Sequence, residues 1–127
     1  MYIGKFYPII NHELTDRQVE EIRRAGYEIV VIPQEIKELW RQVDIPVSKH
    51  ITPIIEYIKE NVDSNDAVLV QGHFGATYLV VNEVKRLGAK AIYAHSVRDN
   101  KRETSLSQEK REKLSVFEHI GFVEYGV

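Results

Sequence analysis

The chain reads as an α/β protein, a Rossmann-like three-layer domain built on a mostly parallel sheet of about five strands with an edge strand at its C-terminal end. Three observations predict this. Short apolar runs alternate with segments of helical period. The internal runs are apolar throughout instead of at every second residue, as strands buried on both faces are. A glycine-bearing stretch, Gln71-Gly72-His73-Phe74-Gly75-Ala76-Thr77-Tyr78, joins one such run to a helix, and in open α/β sheets ligands sit beyond that end of the strands.

Residues 2–10 are rich in β-branched and aromatic side chains and predict the first strand. Thr15 and Gln18 have the spacing of a capping box, Leu14 and Val19 can form a hydrophobic staple, and Gly26 stands where a helix needs a left-handed residue to stop. Residues 16–25 are therefore helical. Residues 27–32 give a second strand, stopped by Pro33. Ile36, Leu39, Trp40 and Val43 follow the i, i+3, i+4, i+7 rule, and Val47, Ile51, Ile54, Ile55, Ile58 and Val62 repeat it after Pro46, so two more helices follow with a break between 44 and 52. Asp63-Ser64-Asn65-Asp66 is a turn, residues 67–70 a buried strand, 79–87 a helix closed by Gly88, and 91–95 a fourth strand. The run 114–125 then returns to the sheet edge.

One domain spanning 1–127 accommodates these elements, since a chain of 127 residues with 43% apolar side chains can bury a core. There is no cysteine, hence no disulfide framework and no thiolate metal site. No apolar run approaches the ~18 residues of a membrane span, and residues 1–6 lack a long apolar signal region, so a cytoplasmic protein without membrane contact is expected. A formal charge of −2 argues against a protein that coats long nucleic acid. The five histidines, at 12, 50, 73, 95 and 119, show no metal-ligand spacing, and no cofactor is expected.

The predicted topology gathers Asn11 and His12 after the first strand, Gln71 to Thr77 after the third, and Ser96 to Arg98 after the fourth. The glycine stretch lacks the Gly-Lys-Ser/Thr of a P-loop, and its G-x-x-G spacing is not a dinucleotide fingerprint. It suits an anion on a helix N-terminus, or else a tight connection whose glycines allow close packing. His12 and His73 can serve as acid or base there. Trp40 and Tyr78 can stack on a base, although Trp40 shares a helical stripe with Ile36, Leu39 and Val43 and fits a core better. Residues 98–113 carry six basic and four acidic side chains and read either as a mobile flap over the site or as a solvated connection.

Asn11-His12-x-Leu14-Thr15-x-x-Gln18, Leu39-Trp40, Gln71-Gly72-x-Phe74-Gly75-Ala76-Thr77-Tyr78, Val81-Asn82 and Val116-Phe117-Glu118-His119 together resemble a small family of stand-alone CRISPR-associated accessory proteins of type III systems. The resemblance spans nearly the whole chain. It implies a single CARF-type domain, a homodimer, that binds cyclic oligoadenylate, the second messenger of type III defence. It further implies a ring nuclease that needs no metal: the ribose 2′-OH attacks the adjacent phosphorus and leaves a 2′,3′-cyclic phosphate. Catalytic roles would then fall to His12, His73 and Arg98. Ligand contacts would fall to Asn11, Gln71, Gly72, His73, Phe74, Gly75, Ala76, Thr77, Tyr78, Ser96, Arg98 and Arg102. The family's pattern is acidic at position 73, where this chain has His73. Binding without cleavage, or an inert interaction domain, are the alternatives.

Overall fold

The computed structural model describes residues 1–98 and 117–127. Along the chain come β1 (Gly4–Ile9), α1 (Asp16–Arg24), β2 (Tyr27–Ile29), α2 (Gln34–Arg41), α3 (Val47–His50), α4 (Thr52–Asn61), β3 (Ala67–Val70), α5 (Phe74–Arg86), β4 (Lys90–Arg98) and β5 (Phe117–Glu124). The sheet order is β2-β1-β3-β4-β5. The first four strands are parallel and β5 runs antiparallel at the edge. This is the expected α/β class.

Local chemistry accounts for the ends of α1 and α5. Thr15 accepts from the Gln18 amide at 3.1 Å while the Gln18 side chain accepts from the Thr15 amide at 3.0 Å, closing the predicted capping box on α1. Gly26 and Gly88 end α1 and α5 at φ of +97° and +79°, a region that costs other residues strain. The two sheet faces bury separate clusters. On one, α1 places Ile22 against Phe6, Ala67, Leu69 and Ile92. On the other, α2, α4 and α5 bring Trp40, Ile54, Ile58, Val80 and Val84 onto Tyr7, Ile9, Val68 and Val70. Both faces of the sheet are thus covered by helices, the layering that all-apolar parallel strands require.

The helix expected over 47–62 is divided at Ile51 into α3 and α4, and three boundaries near the site differ from the sequence reading. β2 stops at Ile29, not at 32. Phe6 O accepts from Val30 N on the β2 side, while Ile9 O accepts from Gln71 N on the β3 side. By the alternation of a parallel strand, Pro8 faces β2 like Phe6, and it has no N–H to extend the ladder. Helix α5 begins at Phe74, so five residues read as turn belong to the helix. Strand β4 continues to Arg98 because β5 pairs with it beyond the parallel strands, with Ser96 opposite His119 and Arg98 opposite Phe117. Ser96 and Arg98 therefore lie within a strand and not in the loop after one. Arg102 and the remainder of the segment read as a flap lie outside the described residues. No helix among the described residues is long and apolar enough to cross a membrane.

At the N-terminal end of the strands, buried Asp66 ties the turn to the sheet. Its two carboxylate oxygens accept from the amides of Lys5, at 2.8 Å, and Asp63, at 2.9 Å.

Candidate functional site

The β1 and β3 strands are direct neighbours, with Ile9 opposite Val70, so the segments beginning at Ile10 and Gln71 leave the sheet side by side. Strand order also switches here, β1 leading to β2 on one side and β3 to β4 on the other. In such sheets that crevice is where ligands bind.

Gln71 is committed to the fold. Its amide donates to Ile9 O, its carbonyl accepts from the Trp40 indole at 2.9 Å, and its side-chain oxygen accepts from Ala94 N at 3.1 Å. The last bond bridges β3 and β4 just past their final register pair, Leu69 with Ile92. Gly72 sits directly on the indole: a Cβ there would lie 2.7 Å from Trp40 Nε1. The packing role of this glycine is therefore real, and Trp40, 1% exposed, is a core residue with no face to offer a base.

His73 caps α5. Its Nδ1 accepts from Ala76 N at 3.3 Å, and its carbonyl accepts from Thr77 N at 2.8 Å. Gly75 leaves room for the folded-back ring, since a Cβ at Gly75 would stand 3.3 Å from His73 Cε1. The amides of Phe74 and Gly75 at the start of the helix have no partner among the described residues. One turn further in, the Thr77 hydroxyl is buried and also without a partner. Phe74 and Tyr78, at i and i+4 on one helix face, are 94% and 68% exposed. The helix thus opens with free donors beside two bare aromatic rings.

The two candidate imidazoles have complementary tautomers. His12 lies exposed just beyond β1 with Nδ1 at 3.0 Å from Glu13 O. A carbonyl only accepts, so Nδ1 carries the proton and Nε2 holds the free lone pair. In His73 the Nδ1 lone pair is used by the cap, so a neutral ring carries its proton on Nε2. His12 is fitted to take a proton and His73 to donate a hydrogen bond.

Asn11 and His12 also line a cavity of about 430 Å³ at the C-terminal ends of β1 and β2. Neither the glycine stretch nor Ser96 contributes to its lining. Asn11 and His12 leave the sheet next to the glycine turn, since β1 and β3 are neighbours, but the cavity they line opens on the β2 side. Three of its lining residues, Arg23, Lys37 and Arg41, are absent from the sequence-based site. Among the described residues no group of three His, Asp or Glu side chains is arranged to hold a metal ion.

Residues 4–123 match the family model of the uncharacterized protein MJ1673 family. The chain is 36% identical over 83 residues to uncharacterized protein MJ1673 of Methanocaldococcus jannaschii, an alignment covering 61% of this chain and 64% of that relative. The matched part is therefore a little under two thirds of the relative's length. No solved structure matches the chain.

Proposed function

The chain belongs to the uncharacterized protein MJ1673 family, on a match over residues 4–123, and we propose that it binds a cyclic oligoadenylate at the head of α5 and linearises it. One observation carries this reading: among the described residues the Phe74 and Gly75 amides and the Thr77 hydroxyl lack partners, in the same opening turns of α5 that expose the rings of Phe74 and Tyr78. Amides at a helix N-terminus suit a phosphate, and aromatic faces suit a base. A ligand that alternates phosphates with adenines meets both demands within one turn of helix. The resemblance noted in the sequence supports the same ligand, and the match of the glycine stretch supplies its most specific residues.

In this reading His12 Nε2 takes the proton from a ribose 2′-OH, whose oxygen forms a bond to the adjacent phosphorus. The bond from phosphorus to the 5′-oxygen breaks, and that oxygen receives the proton back from His12. His73 Nε2–H and the two free amides hold the phosphate oxygens as charge builds on them. The products are linear, ending in a 2′,3′-cyclic phosphate, and no metal ion enters. A ring of four nucleotides would be shared by two copies of the chain related by a two-fold axis, each presenting one α5 head. Switching off type III CRISPR signalling would place the protein in the cytoplasm.

Incubation of the purified chain with labelled cyclic tetra-adenylate and a chelator tests this directly. Linear product carrying a cyclic phosphate is expected, slowed by orders of magnitude in His12→Ala and Arg98→Ala. Intact ring recovered after hours with excess enzyme, but bound, would leave a messenger-sequestering module. Absence of binding to any cyclic oligoadenylate would overturn the proposal.

A further inference from the structure

We infer that the cavity between α1 and α2 is a separate pocket for a nucleotide unit, with the phosphate held by Arg23, Lys37 and Arg41. The pocket exists because Pro8 stops the pairing of β1 with β2, so the chain splays apart beyond Ile29 and leaves about 430 Å³ at the strand ends. That volume falls in the usual range for small-molecule pockets, ~300 to 1,000 Å³.

Its charge is one-sided. Val19 and Arg23, at i and i+4 of α1, face it from one side, and Lys37 and Arg41, at i and i+4 of α2, face it from another. Glu13 is the single acid in its lining. Other helical cations are paired, Arg24 with Glu20, Arg86 with Glu83 and Lys59 with Glu83, while Lys49 and Lys85, among the described residues, stand singly and line no shared cavity with another cation. Arg23, Lys37 and Arg41 have no ion-pair or hydrogen-bond partner among the described residues. Like charges at i and i+4, as Lys37 and Arg41 are, repel one another and weaken a helix. Three unpaired cations brought to one cavity from two helices lying on opposite sheet faces are an anion site, and two guanidinium groups among them suit the several oxygens of a phosphate.

The other walls select what the phosphate is attached to. Ile10, Val19, Ile29 and Ile32 give an aliphatic surface of the kind that accepts the flat face of a base. The backbone of Val31, beyond the end of β2, has no partner among the described residues and lies in the same lining, available to the polar edge of that base. A bare inorganic anion would leave these walls unused. A nucleoside monophosphate uses both halves of the pocket.

Calorimetric titration of the full chain with adenosine and uridine 5′-monophosphates, inorganic phosphate and adenosine provides the test. At least one of the monophosphates is expected to bind with a Kd below about 1 mM, with phosphate alone and nucleoside alone each weaker by about tenfold or more. Arg23→Gln and Arg41→Gln should each lower affinity by about tenfold with unchanged melting temperature, and Lys85→Gln, which removes an exposed cation away from the cavity, should leave it alone. No binding by either monophosphate at several times that concentration, or binding that survives the double Arg23→Gln, Arg41→Gln variant, overturns the inference. Adding cyclic tetra-adenylate to the monophosphate complex separates the two sources of such a unit. Displacement that requires Arg23 and Arg41 identifies a nucleotide of the ring, and simultaneous binding identifies a free mononucleotide. The pocket shares its His12 edge with the ring-cleavage reading and is told apart from it by Arg23, Lys37 and Arg41, which that reading does not use. Cleavage without monophosphate binding removes only the pocket, and monophosphate binding without cleavage removes only the nuclease.

Discussion

The two ends of the parallel strands are built from similar materials and finished differently. At the N-terminal end, Asp66 takes the Lys5 and Asp63 amides, the Asp63 side chain takes the Asn65 amide, and the Tyr7 hydroxyl donates to Asn61 O. Gly4 lets the turn close down, since a Cβ there would lie 2.0 Å from Asn65 O. At the C-terminal end, among the described residues, two exposed amides in the first turn of α5 and one buried hydroxyl, that of Thr77, lack partners, and two aromatic rings of α5 stand in solvent. A buried polar group without a partner costs about 1 to 3 kcal/mol, and natural folds tolerate few of them. The first end serves folding, and the second forgoes stability at a place where a ligand can supply what is missing.

If that division holds, the largest stability effect belongs to the closed end. Asp66→Ala leaves two part-buried amides without their carboxylate and is expected to cost about 2 kcal/mol in urea unfolding, with the m-value unchanged. A loss under about 1 kcal/mol would place the fold's anchor elsewhere. The same end should govern alkaline stability. Burial first, and the negative field of Asp66 second, push the Tyr7 hydroxyl up from 10.0 to about 12. A phenol whose folded value exceeds its unfolded one contributes stability that is complete below pH 10 and is lost as pH rises through about 12. The fall across that window should be on the order of 2 kcal/mol, and Tyr7→Phe should flatten much of it. Burial also raises Tyr57 and Tyr125, which account for the slope that remains.

What could be read from the sequence was local. The capping box of Thr15 and Gln18, the stops at Gly26 and Gly88, and the strand Ala67–Val70 all depend on residues within a few positions of one another. The bond from Trp40 to the Gln71 carbonyl joins residues 31 apart, and nothing near Gly72 in the chain announces that an indole will fill the space above it. The length of β4 was set by β5, and the start of α5 by a histidine cap, a residue type less usual at that position than serine or aspartate. Of the candidate site, the glycine stretch and the His12 edge were legible because topology alone places strand ends. The basic cavity was not, because Arg23 on one helix and Arg41 on another become neighbours only after both have packed. A like-charged pair at i and i+4, Lys37 with Arg41, was the available signal.

The open end should answer in binding where the closed end answers in stability. Phe74→Ser and Tyr78→Ser remove exposed rings, so each should change unfolding free energy by less than about 0.5 kcal/mol. Each should weaken cyclic oligoadenylate by about tenfold, at the lower part of the ~1 to 3 kcal/mol that a stacked base contributes. Loss of stability with affinity intact would mean that these rings pack in the folded protein and that the contrast between the two ends is false.

The smallest expected effect is the most discriminating, because its sign differs from every other. Thr77→Val replaces the unpaired hydroxyl by a methyl group of similar shape, and the two residues have similar helix propensity, so the comparison isolates the hydroxyl. At a site finished for folding, removing a hydroxyl would break a hydrogen bond and cost about 1 kcal/mol. Here no bond is lost among the described residues and a buried polar group is relieved, so the variant should be as stable as the parent or more stable by up to about 1 kcal/mol. The same change should weaken the phosphate-bearing ligand, since the hydroxyl stands one turn inside the free amides of Phe74 and Gly75. Stability gained together with affinity lost is the signature of a group kept for a ligand. Stability lost would show that Thr77 already has a partner, and that the open end of the sheet is closed by the protein itself.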